Sequence, residues 1–210
     1  MKQSAAEILR EYGPFPGVEQ VHGVTYDGQQ VWLATGDSLN AVDPGTGEPV
    51  RQIDAPARAG TAFDGQHLFQ IADGLIQKID PANGHVLGTI PVPGGDGASG
   101  LAWAEGTLWV GVYRERKIHQ VDPGTGTVLR TIESNRFVTG VTWVDGELWH
   151  GTWEDEASDL RRLDLGNGQV LERIEMPAGL GVSGLESDGG GQFFCGGGRS
   201  GKLRAVRRPR

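Results

Sequence analysis

The sequence predicts an all-β fold, a five-bladed β-propeller of four-stranded antiparallel blades, from three observations. A short apolar segment that starts with glycine and runs into an acidic-Gly turn occurs five times, at intervals of 37 to 44 residues. Such intervals are typical of propeller repeats. An aromatic strand follows every copy, and the chain begins with the strand that its last copy lacks. The five segments start at Gly23, Gly60, Gly100, Gly140 and Gly184.

Each repeat has room for four strands joined by short turns. The glycine-led segment is the inner strand, and the acidic-Gly turn leads from it into the aromatic strand. A third strand ends in a turn such as Asp43-Pro44-Gly45, where Asp accepts backbone hydrogen bonds and Pro presets φ. A fourth, outer strand completes the blade. Because neighbouring blades sandwich each sheet, we expect the five strand aromatics to form the core: Trp32, Phe69, Trp109, Trp149 and Phe194.

The fifth repeat reaches the C-terminus after three strands. Residues 8–12 have the pattern of residues 170–174, the outer strand of the fourth repeat. We therefore predict that the N-terminal strand completes the last blade and closes the ring, which leaves few exposed sheet edges. The prediction is one domain over residues 1–210, with blades at about 17–56, 57–93, 94–134, 135–177, and 178–210 plus 8–12.

Composition narrows the classes of partner. The net charge of −8 gives no attraction for nucleic acid or for an anionic membrane, so neither is expected. A lone cysteine, Cys195, rules out an internal disulfide framework. The sequence contains no long apolar run and no apolar segment behind its N-terminal charge. A soluble, cytoplasmic protein is the expectation.

The connections between blades meet at one end of a propeller, where we expect function to lie. The residue before each anchoring glycine occupies an equivalent place in the ring, and four of these five residues can form hydrogen bonds. They are candidates for a convergent polar site. The alternative is that they only bond backbone groups at the strand ends. The five residues are His22, Ala59, Ser99, Thr139 and Ser183.

The connections between second and third strands supply a second set of candidates. Tyr113 and Trp153 occupy equivalent places in blades three and four and are candidates for a wall on which a ligand stacks, with packing at the rim as the alternative. Arg136 is a further candidate for substrate binding. The acidic residues 154–156 could bind a hard cation, and a divalent cation in the channel stays possible. Residues 196–202 lack the spacing of a phosphate-binding loop and read as a hairpin.

Several other reactive residue types have structural interpretations. His150 and Cys195 share the register of buried second-strand positions, so we expect a hydrogen-bonded core histidine and an inert thiol. His67, His85 and His119 are expected to be exposed. The basic end of the chain is expected to be a solvated outer strand and tail: Arg204, Arg207, Arg208 and Arg210.

The repeat pattern resembles the YVTN/streptogramin-lyase superfamily of propellers, through Gly-hydrophobic-x-x-x-Asp-Gly followed by hydrophobic-Trp and hydrophobic-Asp-Pro-x-Thr-Gly. Residues 144–153 most resemble the fourth blade of the five-bladed glutamine cyclotransferases. The resemblance implies a site for a small polar molecule or a peptide end at the channel mouth. The family's catalytic acids are missing, because the matching positions fall on residues 20–24, Leu33 and residues 139–142.

Two functions follow from these patterns. The first is an enzyme of the lyase, cyclotransferase or hydrolase type acting on a small polar molecule at the channel mouth. His22 would be its general base or a metal ligand, with Glu19 or Asp96 as the acidic partner. Ser99, Thr139 and Ser183 would orient the substrate. The alternative is a non-catalytic module that holds a ligand or protein with Tyr113, Trp153 and the longer loops.

Overall fold

The computed structural model describes residues 1–209, so Arg210, predicted to belong to the solvated tail, lies outside the described residues. Those residues form five blades around a common axis. Apart from a single 3-10 turn at Gly95–Gly97, all regular elements are strands. No helix in this part of the chain is long and apolar enough to cross a membrane. The all-β, five-bladed prediction is confirmed.

Blades 1 to 3 follow the chain from inner strand to outer strand. Blade 1 contains β3 (Gly23–Tyr26), β4 (Val31–Ala34), β5 (Gly36–Val42) and β6 (Pro49–Ala57). Blade 2 contains β7 (Thr61–Phe63), β8 (Leu68–Ala72), β9 (Leu75–Ile79) and β10 (Val86–Pro91). Blade 3 contains β11 (Ala98–Ala104), β12 (Thr107–Val112), β13 (Lys117–Val121) and β14 (Val128–Glu133).

Blades 4 and 5 use the N-terminus of the chain. Blade 4 contains β15 (Val138–Val144), β16 (Glu147–Thr152), β17 (Asp159–Leu163) and β18 (Val170–Glu175), with β1 (Lys2–Ala5) added at its edge. Blade 5 contains β19 (Gly184–Ser187), β20 (Gln192–Gly196), β21 (Leu203–Arg207) and β2 (Ile8–Tyr12).

The ring closes as predicted, through the antiparallel pairing of β2 with β21. Ile8 faces Val206 and Tyr12 faces Leu203. The strand β1 was not predicted. It pairs in parallel with β18, where Lys2 lies opposite Glu172 with 3.0 Å between Nζ and Oε1. The first twelve residues therefore add one strand to blade 4 and one to blade 5, whereas the sequence predicted a strand for blade 5 alone.

The core lies within and between the blades, because the second strand of each blade is covered on both faces. All five strand aromatics are at most 2% exposed, which confirms their predicted core role. Aromatic residues of adjacent blades also pack together, with ring centroids 5.5 Å apart for Phe69 and Trp103 and 5.1 Å apart for Trp149 and Phe193. Burial of these large rings supplies much of the stabilisation of the ring.

The anchoring glycines are needed because the inner strands approach closely around the axis. A Cβ added to Gly100 would lie 2.8 Å from the backbone N of Val141, and one added to Gly184 would lie 2.7 Å from the backbone N of Val24. A side chain at either position would push neighbouring blades apart. The same contact to the next blade recurs at Gly23, Gly60 and Gly140.

The basic end of the chain differs from expectation. Arg204 is only 3% exposed, because β21 is the third strand of blade 5 and is covered by β2. Its Nε donates to Oε2 of Glu11 at 2.8 Å, so a carboxylate on the closing strand compensates the buried charge. Arg208 pairs with Asp145 and Glu147 of blade 4. The prediction of a solvated outer strand is wrong for Arg204.

Two histidines also differ from expectation. His67 and His119 are partly buried, whereas His85 is exposed as predicted. Nδ1 of His67 lies 3.4 Å from Oδ2 of Asp64 in the adjoining turn. Nδ1 of His119 lies 2.8 Å from Oγ1 of Thr131 on the outer strand of the same blade. Each ring therefore packs against its own hairpin.

Candidate functional site

A cavity of about 550 Å³ lies at the mouth of the ring, on the side formed by blades 3, 4 and 5. The connections after the second strands of these blades supply Tyr113, Trp153 and residues 197–200. The lead-in to blade 5 supplies Gly179 and residues 181–183, and Gln20 and Thr139 complete the lining. We call this cavity the mouth groove.

Tyr113 and Trp153 line the mouth groove together. The Tyr113 hydroxyl donates a hydrogen bond to the backbone carbonyl of Trp153 at 2.9 Å, and the Tyr113 ring packs against Phe137 with centroids 4.8 Å apart. The Trp153 ring lies directly over Gly181, where an added Cβ would be 2.5 Å from Cε3. Both rings are therefore held in place at the rim while they form part of the cavity wall.

The hydroxyl residues before the anchoring glycines form contacts between blades. Ser99 Oγ donates to the carbonyl of Val138 at 2.7 Å, and Ser183 Oγ donates to the carbonyl of Val21. Each bond reaches the lead-in of the next blade. Thr139 differs, because its buried Oγ1 has no hydrogen-bond partner within residues 1–209. Of these residues, Thr139 and Ser183 line the mouth groove, and Ser99 lies outside its lining.

Arg136 also lies outside the lining of the mouth groove, where it is held by Glu154. Its Nε lies 3.2 Å from Oε2 of Glu154 and its Nη2 donates to the Glu154 carbonyl at 2.6 Å. Arg116 Nη2 contacts the other carboxylate oxygen of Glu154. Two guanidinium groups thus neutralise Glu154, one of the three acidic residues 154–156 that the sequence offered as cation ligands. Within residues 1–209, no three His, Cys, Asp or Glu side chains are grouped to hold a metal ion.

His22 lies on the side of the mouth formed by blades 1 and 2. Burial, with a smaller contribution from the charge of Arg58, lowers the pKa of His22 below its usual value, which favours the neutral imidazole at neutral pH. Glu19 and Asp96 are exposed, and within the described chain neither forms an ion pair with His22. None of these three residues lines the mouth groove.

Arg58, the cation beside His22, is itself flanked by two carboxylates. Its Nη2 lies 3.7 Å from Oδ1 of Asp37, and its Nη1 lies 3.4 Å from Oδ1 of Asp73. Asp73 lies in the short connection that follows the second strand of blade 2, and Asp37 is the second residue of β5, just after the equivalent connection of blade 1. Arg58, Asp37 and Asp73 on this side of the mouth are therefore paired with one another.

A carboxyl group near the axis was missed by the sequence analysis. Glu186 on β19 accepts hydrogen bonds from Thr25 Oγ1 at 2.8 Å, from Thr142 Oγ1, and from the backbone N–H of Ser187 at 2.9 Å. Burial raises the pKa of Glu186 to about 7. The sequence carried a signal: the equivalent inner-strand positions are all small and uncharged, namely Thr25, Ala62, Ala102 and Thr142.

His150 and Cys195 have the structural roles predicted for them. Nδ1 of His150 donates to the carbonyl of Gly151 at 3.0 Å, and Nε2 lies 3.3 Å from Oγ of Ser134. Burial lowers the pKa of His150 to about 4, so the ring is neutral at physiological pH. Burial raises the pKa of Cys195 to about 12, which leaves an unreactive thiol.

Known structures share this architecture. The chain superimposes on the glutaminyl cyclase of Myxococcus xanthus with a TM-score of 0.79 and 18% identity, covering 98% of this chain and 97% of that one. For virginiamycin B lyase from Staphylococcus aureus, the TM-score is 0.53 at 15% identity, with 95% and 70% covered.

A chain of the mitotic checkpoint complex gives a TM-score of 0.59 at 13% identity, with 97% of this chain and 92% of that one covered. No protein-family model and no curated protein matches the sequence. At such low identities, the three structural similarities show the propeller fold alone and leave the activity to be argued from the site itself.

Proposed function

We propose that this protein binds a small molecule in the mouth groove. One observation carries the proposal: four residues that the sequence singled out for ligand binding, contributed by blades 3, 4 and 5, line a single cavity of about 550 Å³. That volume lies in the range of small-molecule sites in proteins. The four residues are Tyr113, Thr139, Trp153 and Ser183.

The lining favours a ligand with a flat, unsaturated portion. Trp153 and Tyr113 offer aromatic surface, and the facing segments contain Gly181, Gly197 and Gly198, which let a ligand approach the backbone closely. Polar side chains share the lining with the aromatic surface, so hydrogen bonds can orient a molecule whose flat part lies on the rings. A small polar molecule or the end of a peptide would fit this description.

A second candidate is that the bound molecule is also transformed, by a lyase, cyclotransferase or hydrolase type of reaction. Two observations favour it. His22 has a neutral imidazole that can accept a proton, and it lies two residues after Gln20, which lines the groove. The fold is also similar to that of a glutaminyl cyclase and, over 70% of its chain, to that of a virginiamycin B lyase. Among the described residues the lining contains no His, Asp or Glu, so proton transfer would require the bound molecule to reach from the groove to His22, which lies outside the lining.

The binding proposal is tested with a fragment library, using thermal shift and then NMR titration. Trp153→Leu is expected to weaken the compounds that bind wild-type protein by roughly 10-fold or more, because it removes the stacking surface. Trp143→Leu is the matched control, since Trp143 is equally half-buried in the same blade and stacks on Trp109 away from the groove. Equal losses in both variants, or no compound that depends on Trp153, would refute the proposal.

The enzymatic candidate is tested once a ligand is known. His22→Ala should then lower turnover by roughly 100-fold or more while the ligand's Kd stays within about twofold of the wild type. Unchanged turnover in His22→Ala would rule out His22 as the base. Peptides with an N-terminal glutamine are a reasonable first substrate class to assay, alongside any ligand from the library.

A further inference from the structure

The mouth groove carries one full charge. Among the described lining residues, Arg199 alone is ionised at neutral pH, since the other polar side chains are uncharged and the Tyr113 phenol, whose pKa is raised further by burial and by the nearby Glu154 carboxylate, keeps its proton. The remaining polar lining side chains are uncharged: Gln20, Thr139, Ser183 and Ser200. The groove therefore presents a positive charge in a protein whose net charge is −8.

Arg199 differs from three other arginines of the mouth, Arg58, Arg116 and Arg136, in having no acidic partner within the described residues. Arg58 is flanked by two aspartates, and Arg116 and Arg136 share Glu154. In residues 1–209, no carboxylate oxygen lies within 4.0 Å of the Arg199 guanidinium. The side chain is exposed, so its five N–H donors are available to a ligand.

The loop that presents Arg199 is held to two neighbouring segments. The backbone N–H of Gly198 donates to Ser183 Oγ at 3.0 Å, and the Gly198 carbonyl accepts from the backbone N–H of Val21 at 3.0 Å. Gly197 N–H donates to the Lys202 carbonyl at 2.8 Å, which closes the turn. The backbone position of Arg199 is thus set before any ligand arrives, which lowers the entropy cost of using it.

We propose that the ligand of the mouth groove is a small molecule with an anionic head group, a carboxylate or a phosphate, which binds Arg199 while its flat body lies against Trp153. This inference rests on the proposed function of the same groove. Guanidinium binds both kinds of head group through paired hydrogen bonds. The acidic residues 154–156 and the overall negative charge disfavour a long polyanion, so the groove suits a single charged group on a small body.

A fragment set of matched scaffolds tests the inference. Each flat aromatic scaffold is supplied as a carboxylate, a phosphate monoester, a primary amide and a primary amine, and each Kd is measured by NMR titration. One of the two anionic forms should bind wild-type protein about 10-fold more tightly than the amide, and this preference should shrink as salt is added. Which anionic form is preferred identifies the head group.

Three variants show whether Arg199 is responsible. Arg199→Gln should abolish the preference for the anionic form, and Arg199→Lys should retain part of it because the charge remains without the paired geometry. Arg130→Gln is the matched control: Arg130 is exposed on β14 of blade 3, outside the groove. Arg199 is exposed too, so all three variants should keep the wild-type melting temperature.

The outcomes separate this inference from the proposed function. If the amide or the amine binds as tightly as the anionic forms, or if Arg199→Gln retains the preference, the anionic head group is refuted while binding in the groove stands. If no form of any scaffold binds in a way that depends on Trp153, the proposed function fails as well.

Discussion

The two halves of the mouth are built on the same repeat and differ in what their loops do. On the side of blades 1 and 2, the connections after the second strands are short, and Asp37 and Asp73 flank Arg58 beside His22. On the side of blades 3 to 5, the connections are longer, and they enclose a cavity with aromatic walls and the unpaired Arg199. The strands that carry both sets of loops have the same order and similar burial.

The residues of the repeat and the residues of the candidate site are therefore under different structural constraints. An anchoring glycine and a strand aromatic must recur in every blade, because each blade packs on the next. The loops at the mouth face solvent and are free to differ. On the side of blades 1 and 2, Arg58 is paired with Asp37 and Asp73. On the side of blades 3 to 5, Arg199 has no acidic partner within residues 1–209, and aromatic side chains line the cavity, so both are available to a ligand.

The largest effect is expected from breaking the ring that both halves share. Gly184→Val places a side chain against the backbone of Val24 in the next blade, so the free energy of unfolding should fall by about 3 kcal/mol or more. Gly88→Val is the control, since Gly88 lies in an outer strand with open space where the Cβ would be. Denaturant titration should show little change for the control. Equal stability of the two variants would contradict the close approach of the inner strands.

An intermediate effect is expected at Glu186, where blades 4, 5 and 1 meet. Its folded-state pKa of about 7 lies above the ordinary 4.5, so the folded protein keeps a proton that the unfolded chain loses between these values. The contribution of Glu186 to stability is therefore fully present below about pH 4.5 and is lost as the pH rises through 7. The total loss is about 3 kcal/mol.

The measurement is the difference in free energy of unfolding between wild type and Glu186→Gln across about pH 5 to pH 8. Burial lowers the pKa of His150, so its contribution to stability rises with pH, opposite to that of Glu186. Because both proteins contain His150, its contribution cancels when their free energies of unfolding are subtracted. The variant should gain stability relative to wild type as the pH rises. A pH-independent difference would show that the Glu186 carboxyl ionises normally.

The smallest effect on stability is expected from removing β1. This strand pairs only with blade 4, one of the three blades that form the mouth groove. All four of its residues are exposed, so deleting residues 2–5 should lower stability by about 1 kcal/mol and leave ligand affinity in the mouth groove unchanged. Deleting residues 1–12 also removes β2 and should prevent the ring from closing. The melting temperatures of the two truncated proteins are measured by circular dichroism, and the protein that lacks residues 1–12 should melt at the lower temperature. Similar melting temperatures would contradict the role of β2 as the closing strand.

Much of the architecture could be predicted from the sequence because it is repetitive. A fixed interval between glycines, an aromatic in each second strand and the matching pattern at residues 8–12 together specify five blades and their closure. The strand β1 could not be predicted, because Lys2–Ala5 is exposed on both faces and has no apolar alternation. Burial of Arg204 follows from the cover that β2 gives to the third strand of blade 5, which the predicted closure already implied, whereas the compensation of its charge by Glu11 could not be predicted from the repeat pattern.

The candidate site could be predicted only in part. The equivalent places of residues within the repeats indicated that one end of the ring carries Tyr113, Trp153, Thr139 and Ser183. Adjacent blades bring these four residues into one cavity. Repeat phase does not specify side-chain direction, so it could not show that Ser99 bonds the next blade's lead-in or that Arg136 is held by Glu154. The unpaired state of Arg199 likewise depends on which carboxylates fold close to it.

Ligand binding in the mouth groove is tested most directly by an amide chemical-shift map of the isotopically labelled protein with an anionic aromatic fragment that binds it. The largest shifts are expected at Tyr113, Thr139, Trp153 and the segments 179–183 and 197–200. Amides near His22 and Arg58 should move little. Shifts concentrated on the side of blades 1 and 2, or scattered over the outer strands, would contradict the assignment of the ligand to the mouth groove.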